Sequence, residues 1–160
     1  MREILFRGKR MNNGEWVNGS FLLDGELHRP YGKEHLPFSN CYIVPETDSE
    51  NVRTAFNDGS LFLNTTAYHV IPETVGQFTG LTDKNGTKIF EGDIVESEFT
   101  TKPYLVCFGE YTYTDEYGDE ESVCGWYNEE KGGYVTGFGC PDTWATVIGN
   151  IHDNPELLEG

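Results

Sequence analysis

Carboxylates crowd one short segment of this 160-residue chain. Asp115, Glu116, Asp119, Glu120 and Glu121 fall within YTYTDEYGDEES, with Tyr113 and Tyr117 interleaved. Oxygen ligands of this kind suit a hard cation such as Ca²⁺, which takes roughly six to eight of them converging on one point. On an exposed turn, neighbouring carboxylates diverge into water instead. Two other readings then stand beside the ion site: a protein-contact surface, and a solvated loop. Tyr111, Trp126 and Tyr127 complete an aromatic cluster around the segment. Tyr and Trp are favoured at protein interfaces, whereas the same residues as cross-strand pairs would simply cover a thin barrel.

A second stretch, TGLTDKNGTKIFEGDIV at residues 79–95, also invites a metal reading through Asp83, Asn85 and Gly86. If Gly86 took the glycine position of an EF-hand loop, Leu81 would stand where the first carboxylate belongs and Gly92 where the bidentate Glu belongs. The calcium reading fails on those two positions. No GxxxxGK[ST] or GxGxxG run offers a phosphate cradle. A structural reading accommodates every residue: Asn85-Gly86 supplies two positive-φ positions for a type I′ hairpin turn, and Gly92 relieves a bend before the next strand.

A third set is sparser. His28 and His35 are seven residues apart, with Cys41 six further on, in a chain with no CxxC pair. Zinc sites ordinarily draw on closely spaced Cys and His. This set and the acidic segment are what a metal-dependent or enzymatic protein would use here. There is no GxSxG nucleophile elbow. No cofactor is expected, and no catalytic residue stands out.

The elements that must position these residues read as short strands. Glu3–Lys9, with Ile4 and Phe6 on one face, and Glu15–Leu23 form an N-terminal β-hairpin around Asn12-Asn13-Gly14. Further strands are predicted at Cys41–Val44, Leu61–Leu63, Ala67–Ile71, near Asp93–Phe99, Tyr104–Phe108, Val123–Tyr127, Tyr134–Phe138 and Trp144–Ile151. Residues Tyr111–Ser122 read as a long hairpin tip. Pro72–Gly76 is a turn or a single helical turn. At the end of the chain Asn154 is placed to cap a short helix, with Pro155 at its first position. The bases Arg2, Arg7, Lys9 and Arg10 read as gatekeepers on an edge strand, in preference to an anion patch.

Charge narrows the partners. The chain holds 27 acids and 11 bases, a formal net charge of −16, and residues 103–160 carry twelve of the acids but one base, Lys131. Such a surface repels nucleic-acid phosphates and anionic lipid, so direct nucleic-acid binding is not expected, while a basic protein partner is permitted. No apolar run approaches the roughly 20 residues of a membrane helix. The start, MREILFRGKR, lacks the apolar core of a secretory signal. Cys41, Cys107, Cys124 and Cys140 are too sparse for a disulfide framework, and read as reduced thiols.

Three blocks, REILFRGKR with GEWVNGSFL, VIPETVGQFTGLTDKNGTKIFEGDIV, and VIGNIHDNPELLE, together resemble the YopX family of bacteriophage and prophage proteins. The resemblance implies an all-β protein with an SH3-like barrel in its middle and C-terminal part. It also implies expression in the cytoplasm of an infected or lysogenic bacterium. It brings no activity and therefore no catalytic residue. The expected organisation is an N-terminal β-hairpin and irregular β region over residues 1–72, packed on a barrel over 73–160 with an acidic hairpin tip and a short C-terminal helix. The expected role is an accessory protein that contacts a host or phage protein through Tyr113, Asp115, Glu116, Tyr117, Asp119, Glu120 and Glu121. Its sharper form is a nucleic-acid mimic for a basic host protein. Self-association through strand edges is the alternative assembly.

Overall fold

The computed structural model describes residues 3–24, 40–45, 54–56, 61–63, 66–98, 100, 102–115, 117–130, 134–139, 141 and 144–159. Over these residues the protein is antiparallel β throughout, with helix confined to short 3₁₀ turns. It divides into two compact units, residues 4–77 and residues 78–160 with 1–3.

In the first unit, β1 (Phe6–Lys9) and β2 (Trp16–Asp24) form the expected hairpin, followed by β3 (Asn40–Pro45) and β6 (Tyr68–Val70) in the spatial order β6-β3-β2-β1. A separate two-stranded pair, β4 (Thr54–Phe56) and β5 (Leu61–Leu63), lies between them in the chain. Val17, Cys41, Ile43 and Val70 form the core of this unit, with Phe6, Phe21, Tyr68 and Val75 packed against it. An Arg10–Val70 bridge ties the end of β1 to β6, reinforced by the Ile71 N–H donating to the Lys9 carbonyl at 2.8 Å. Pro72–Thr74 is a 3₁₀ turn whose Thr74 hydroxyl oxygen accepts from the Lys9 N–H at 2.9 Å.

Two readings of this hairpin are corrected. Ile4 is 69% exposed and precedes the strand, while its neighbour Leu5 is 2% exposed. Phe6 packs on the core and Gly8 abuts Val70 and Ile43, so the face the alternation assigned does meet the core; Ile4 is exposed because the paired strand begins only at Phe6. β1 is also no edge strand, because it pairs with β2 on one side and with Gly76 and Gln77 on the other. Its bases therefore do not guard an edge. The Arg7 guanidinium and the Lys9 ammonium lie 4.8 and 5.5 Å from the Trp16 ring centroid, and the Arg10 guanidinium lies 3.6 Å from that of Tyr68. Arg2 lies outside the described residues.

The chain leaves this unit along β7 (Gly76–Thr82). The second unit continues with β8 (Lys88–Phe90), β9 (Asp93–Ser97), β10 (Tyr104–Thr114), β11 (Glu120–Glu130), β12 (Tyr134–Gly137) and β13 (Ala145–Asn150). Strands β9 to β13 make one sheet in the order β12-β11-β10-β9-β13, with a bulge in β13 between Val147 and Gly149. Ile89, Val95, Tyr104, Val106 and Ala145 form the core, and Trp126, Phe138, Trp144 and Val147 pack against it. The expected C-terminal helix is a 3₁₀ turn, Pro155–Leu158. Pro155 does open it, but the Asn154 side chain makes no capping hydrogen bond. Four residues are too few to repay helix nucleation.

Candidate functional site

β10 and β11 pair residue for residue from Tyr104 opposite Glu130 to Thr114 opposite Glu120. The segment Tyr111–Ser122 is thus mostly strand, and only residues 115–119 form the tip. The hairpin-tip reading was too long because Thr112, Tyr113 and Thr114 are good strand formers whose pairing partners, Ser122, Glu121 and Glu120, are not. Propensity underrates a strand whose register its neighbour imposes.

Asp115 builds the turn. Its Oδ1 accepts from the Tyr117 and Asp119 N–H groups, both at 2.9 Å, and its own N–H donates to the Asp119 carbonyl at 2.9 Å. One of the five carboxylates is therefore spent on the backbone. Across the strands the Tyr113 hydroxyl donates to Glu121 Oε2 at 2.8 Å, and Thr112 and Ser122 share a hydroxyl hydrogen bond at 3.0 Å. The hydrogen bond to the Glu121 carboxylate pushes the Tyr113 hydroxyl above its ordinary pKa, and the Glu121 charge adds to it. Tyr117 stands at the apex, 83% exposed. Asp119, Glu120 and Glu121 are exposed, and Glu116 lies outside the described residues. A trough of about 500 Å³ runs past Tyr113, Thr114 and Glu120 to Val135 and Gly137. The arrangement offers carboxylates, one exposed aromatic ring and an open trough to a partner's surface.

The aromatics divide. Tyr111 packs on Tyr127 with ring centroids 5.1 Å apart, and Phe108 packs on Trp126 at 4.9 Å. These are contacts of the structural reading; Tyr113 belongs to both groups, with its ring 6.2 Å from that of Tyr111 and its hydroxyl on Glu121, and Tyr117 stays with the acidic tip.

The 79–95 stretch proves to be scaffold, with a different turn from the one expected. Gly86 has φ +81°, but no non-glycine described residue has positive φ, so Asn85 does not take the second left-handed position of a type I′ turn. The Gly86 N–H donates to the Asp83 carbonyl, and the Asp83 N–H to the Thr87 carbonyl, each at 2.9 Å. That is a type I turn followed by a left-handed glycine, the three-residue hairpin loop. Asp83 selects it. Its buried carboxylate accepts from the Asn85 and Thr87 N–H groups through Oδ1, both at 2.8 Å, and from the Val147 N–H through Oδ2 at 3.1 Å. Burial alone would raise the Asp83 pKa. The three backbone donors and the Thr87 hydroxyl outweigh it and hold the carboxyl below the usual range. Gly92, with φ +80°, makes the expected bend between β8 and β9.

Among the described residues no three His, Cys, Asp or Glu side chains converge as a metal ion requires. His28 and His35 lie outside them, and Cys41 is buried in the core of the first unit. Cys107 is held to about 11 by burial and by the Glu129 charge, which makes it a poor nucleophile at neutral pH.

One residue escaped the sequence reading altogether. Asn128 is 2% exposed on β11, and its Oδ1 accepts no hydrogen bond among the described residues. The strand predicted at Val123–Tyr127 stopped one residue short of it. Carried on by one residue, the alternation would have placed Asn128 on the face of Trp126.

Among the described residues no helix is long and apolar enough to cross a membrane. A family profile described as YopX protein matches residues 5–159. No curated protein matches the chain. The crystal structure of protein EF1440 from Enterococcus faecalis is similar, with TM-score 0.53 and 22% identity over 99% of each chain. At that identity the likeness concerns the fold.

Proposed function

The chain belongs to the YopX family, and from that premise we propose a phage or prophage accessory protein that binds a basic protein in the host cytoplasm. The surface is the β10–β11 hairpin, with Tyr113, Tyr117, Asp119, Glu120 and Glu121 as its contact residues and Glu116 beside them in the sequence. The observation that carries the reading is the segregation of charge, twelve acids and one base over residues 103–160. A surface of one sign steers an oppositely charged partner and repels nucleic acid itself. A basic nucleic-acid-binding protein, its phosphate-binding face occupied by these carboxylates, is the sharper form of the same proposal.

The SH3-like reading of β9–β13 belongs here too. The sheet order sets the last strand beside the first, as that architecture requires. The described pairings leave β12 and β13 as the sheet's outer strands, so closure is the proposed part. Fold of this type does not name a ligand.

The test is affinity capture from host lysate with the wild-type chain and with a triple variant, Asp119→Asn, Glu120→Gln and Glu121→Gln. A basic protein retained by the wild type, released by added salt and lost from the variant is the expected result. Equal retention by both chains, or no basic protein on either, overturns the proposal.

A further inference from the structure

A second pocket, of about 280 Å³, opens beside the core of the second unit and is lined by Asn128, Trp144, Tyr104, Ser97 and Thr136. Register places four of these on one face of the sheet. Asn128 on β11 lies opposite Thr136 on β12 and opposite Val106 on β10, two residues from Tyr104, whose partner Val95 is two residues from Ser97 on β9. Trp144, just before β13, meets the Tyr104 ring edge-on at 6.3 Å. The pocket is therefore a gap left where core residues give way to polar ones, walled by two aromatic rings.

Its chemistry is set by one atom. Asn128 Oδ1 is buried and, among the described residues, receives no hydrogen bond. Leaving such an acceptor unmet costs free energy that replacement by an apolar residue of similar size would avoid. A buried polar group in this position calls for a partner, and the described residues supply none. The missing partner must be a donor. Indole and phenol faces favour a cation over a neutral group, and a chain of net charge −16 draws cations towards it. The volume lies just under the roughly 300 Å³ at which small-molecule sites begin, which suits one long side chain better than a cofactor.

We infer that this pocket receives an arginine or lysine side chain of the bound protein, its N–H donating to Asn128 Oδ1 beside the packed rings of Trp144 and Tyr104. The inference deepens the reading above and rests on its basic partner, but it concerns a pocket that only adjoins the trough of the acidic surface, at Thr136 and Gly137. The wall and the acceptor give it a chemical specificity that a field of exposed carboxylates lacks.

The probe is N-acetyl-arginine amide, with N-acetyl-lysine amide and N-acetyl-citrulline amide alongside, titrated into the full chain and followed by NMR. The expected result is a saturable shift of the Trp144 indole and Asn128 side-chain resonances with one or both cations. Neutral citrulline should bind more weakly, and Asn128→Leu should weaken cation binding about tenfold or more, as expected for a hydrogen bond to a charged donor. Asn128→Leu should also remain folded, since it removes an unmet acceptor. Trp144→Phe, which keeps a ring, serves as the second variant, and should bind more weakly than wild type. Shifts confined to the hairpin tip would overturn the pocket while leaving the acidic-surface proposal standing. Equal binding of citrulline would overturn the cation. No shift at either residue, whatever the heat stability of Asn128→Leu, would overturn the inference outright.

Discussion

Asp83 Oδ2 accepts a hydrogen bond from the backbone N–H of Val147 at 3.1 Å, across 64 residues of chain. The same carboxylate shapes the β7–β8 turn through Oδ1, and the Lys84 N–H beside it donates to the Ala145 carbonyl at 3.1 Å. One side chain thus sets a local turn and pins that turn to β13.

Replacing Asp83 by Ala should leave three part-buried N–H groups without their charged acceptor and cost on the order of 3 kcal/mol. The pH dependence follows from the lowered folded pKa. The contribution is fully present above the unfolded value of about 4 and is lost as pH falls through the lower folded value. Denaturant unfolding of wild type and Asp83→Asn at pH 7 and near pH 2 should therefore show a stability gap that narrows in acid. A gap that is the same at both pH values would contradict the assignment.

Gly19 lies opposite Pro45 in the β2–β3 pair, and a Cβ there would overlap the backbone carbonyl of Val44. Strand backbones cannot yield as a side chain can, so Gly19→Ala should cost about 3 kcal/mol or more. Gly125→Ala is the control, because a Cβ at Gly125 meets nothing within 4 Å. It should be neutral or slightly stabilising. Thermal melts of the two variants distinguish a steric requirement from a general intolerance of strand alanines.

Arg10 stacks on Tyr68 and pairs with Glu15 at 3.3 Å. Arg10→Ala should cost about 1 kcal/mol through the lost ring contact, the Glu15 pair being largely exposed and worth little. It should not change the solution molecular mass. An aggregating variant measured by light scattering would restore the gatekeeper reading that the pairing of β1 on both sides opposes.

Cys107, held to about 11, should stay unmodified by iodoacetamide at pH 8 while the exposed Cys124 is alkylated. Peptide mass mapping over a time course reads both. Faster labelling of Cys107 than of Cys124 would show that the burial is not maintained in solution.

Much of this architecture is written locally. The alternation in Phe6–Lys9 and Trp16–Leu23, the Asn-Gly step at residues 85–86, and Pro72 and Pro155 each specify a strand, turn or 3₁₀ start, because those preferences act over a few residues. The family signal is local too, carried by the blocks at residues 2–10 with 14–22, 70–95 and 147–159. Segregation of charge likewise needs only the order of residues.

What only tertiary structure decided is where a local preference meets a partner far away in the chain. Ile4 is exposed although it shares a face with core-packed Phe6, because the pairing with β2 begins only at Phe6, opposite Gly19. Asn85 stays out of the left-handed region because the Asp83 carboxylate, shared with Val147, rewards a different turn. Thr112–Thr114 and Glu120–Ser122 become strand because each pairs with the other. Asn128 becomes a buried acceptor because Val106 and Thr136 pair on either side of it. In each case the deciding energy is a contact between residues that sequence separation conceals.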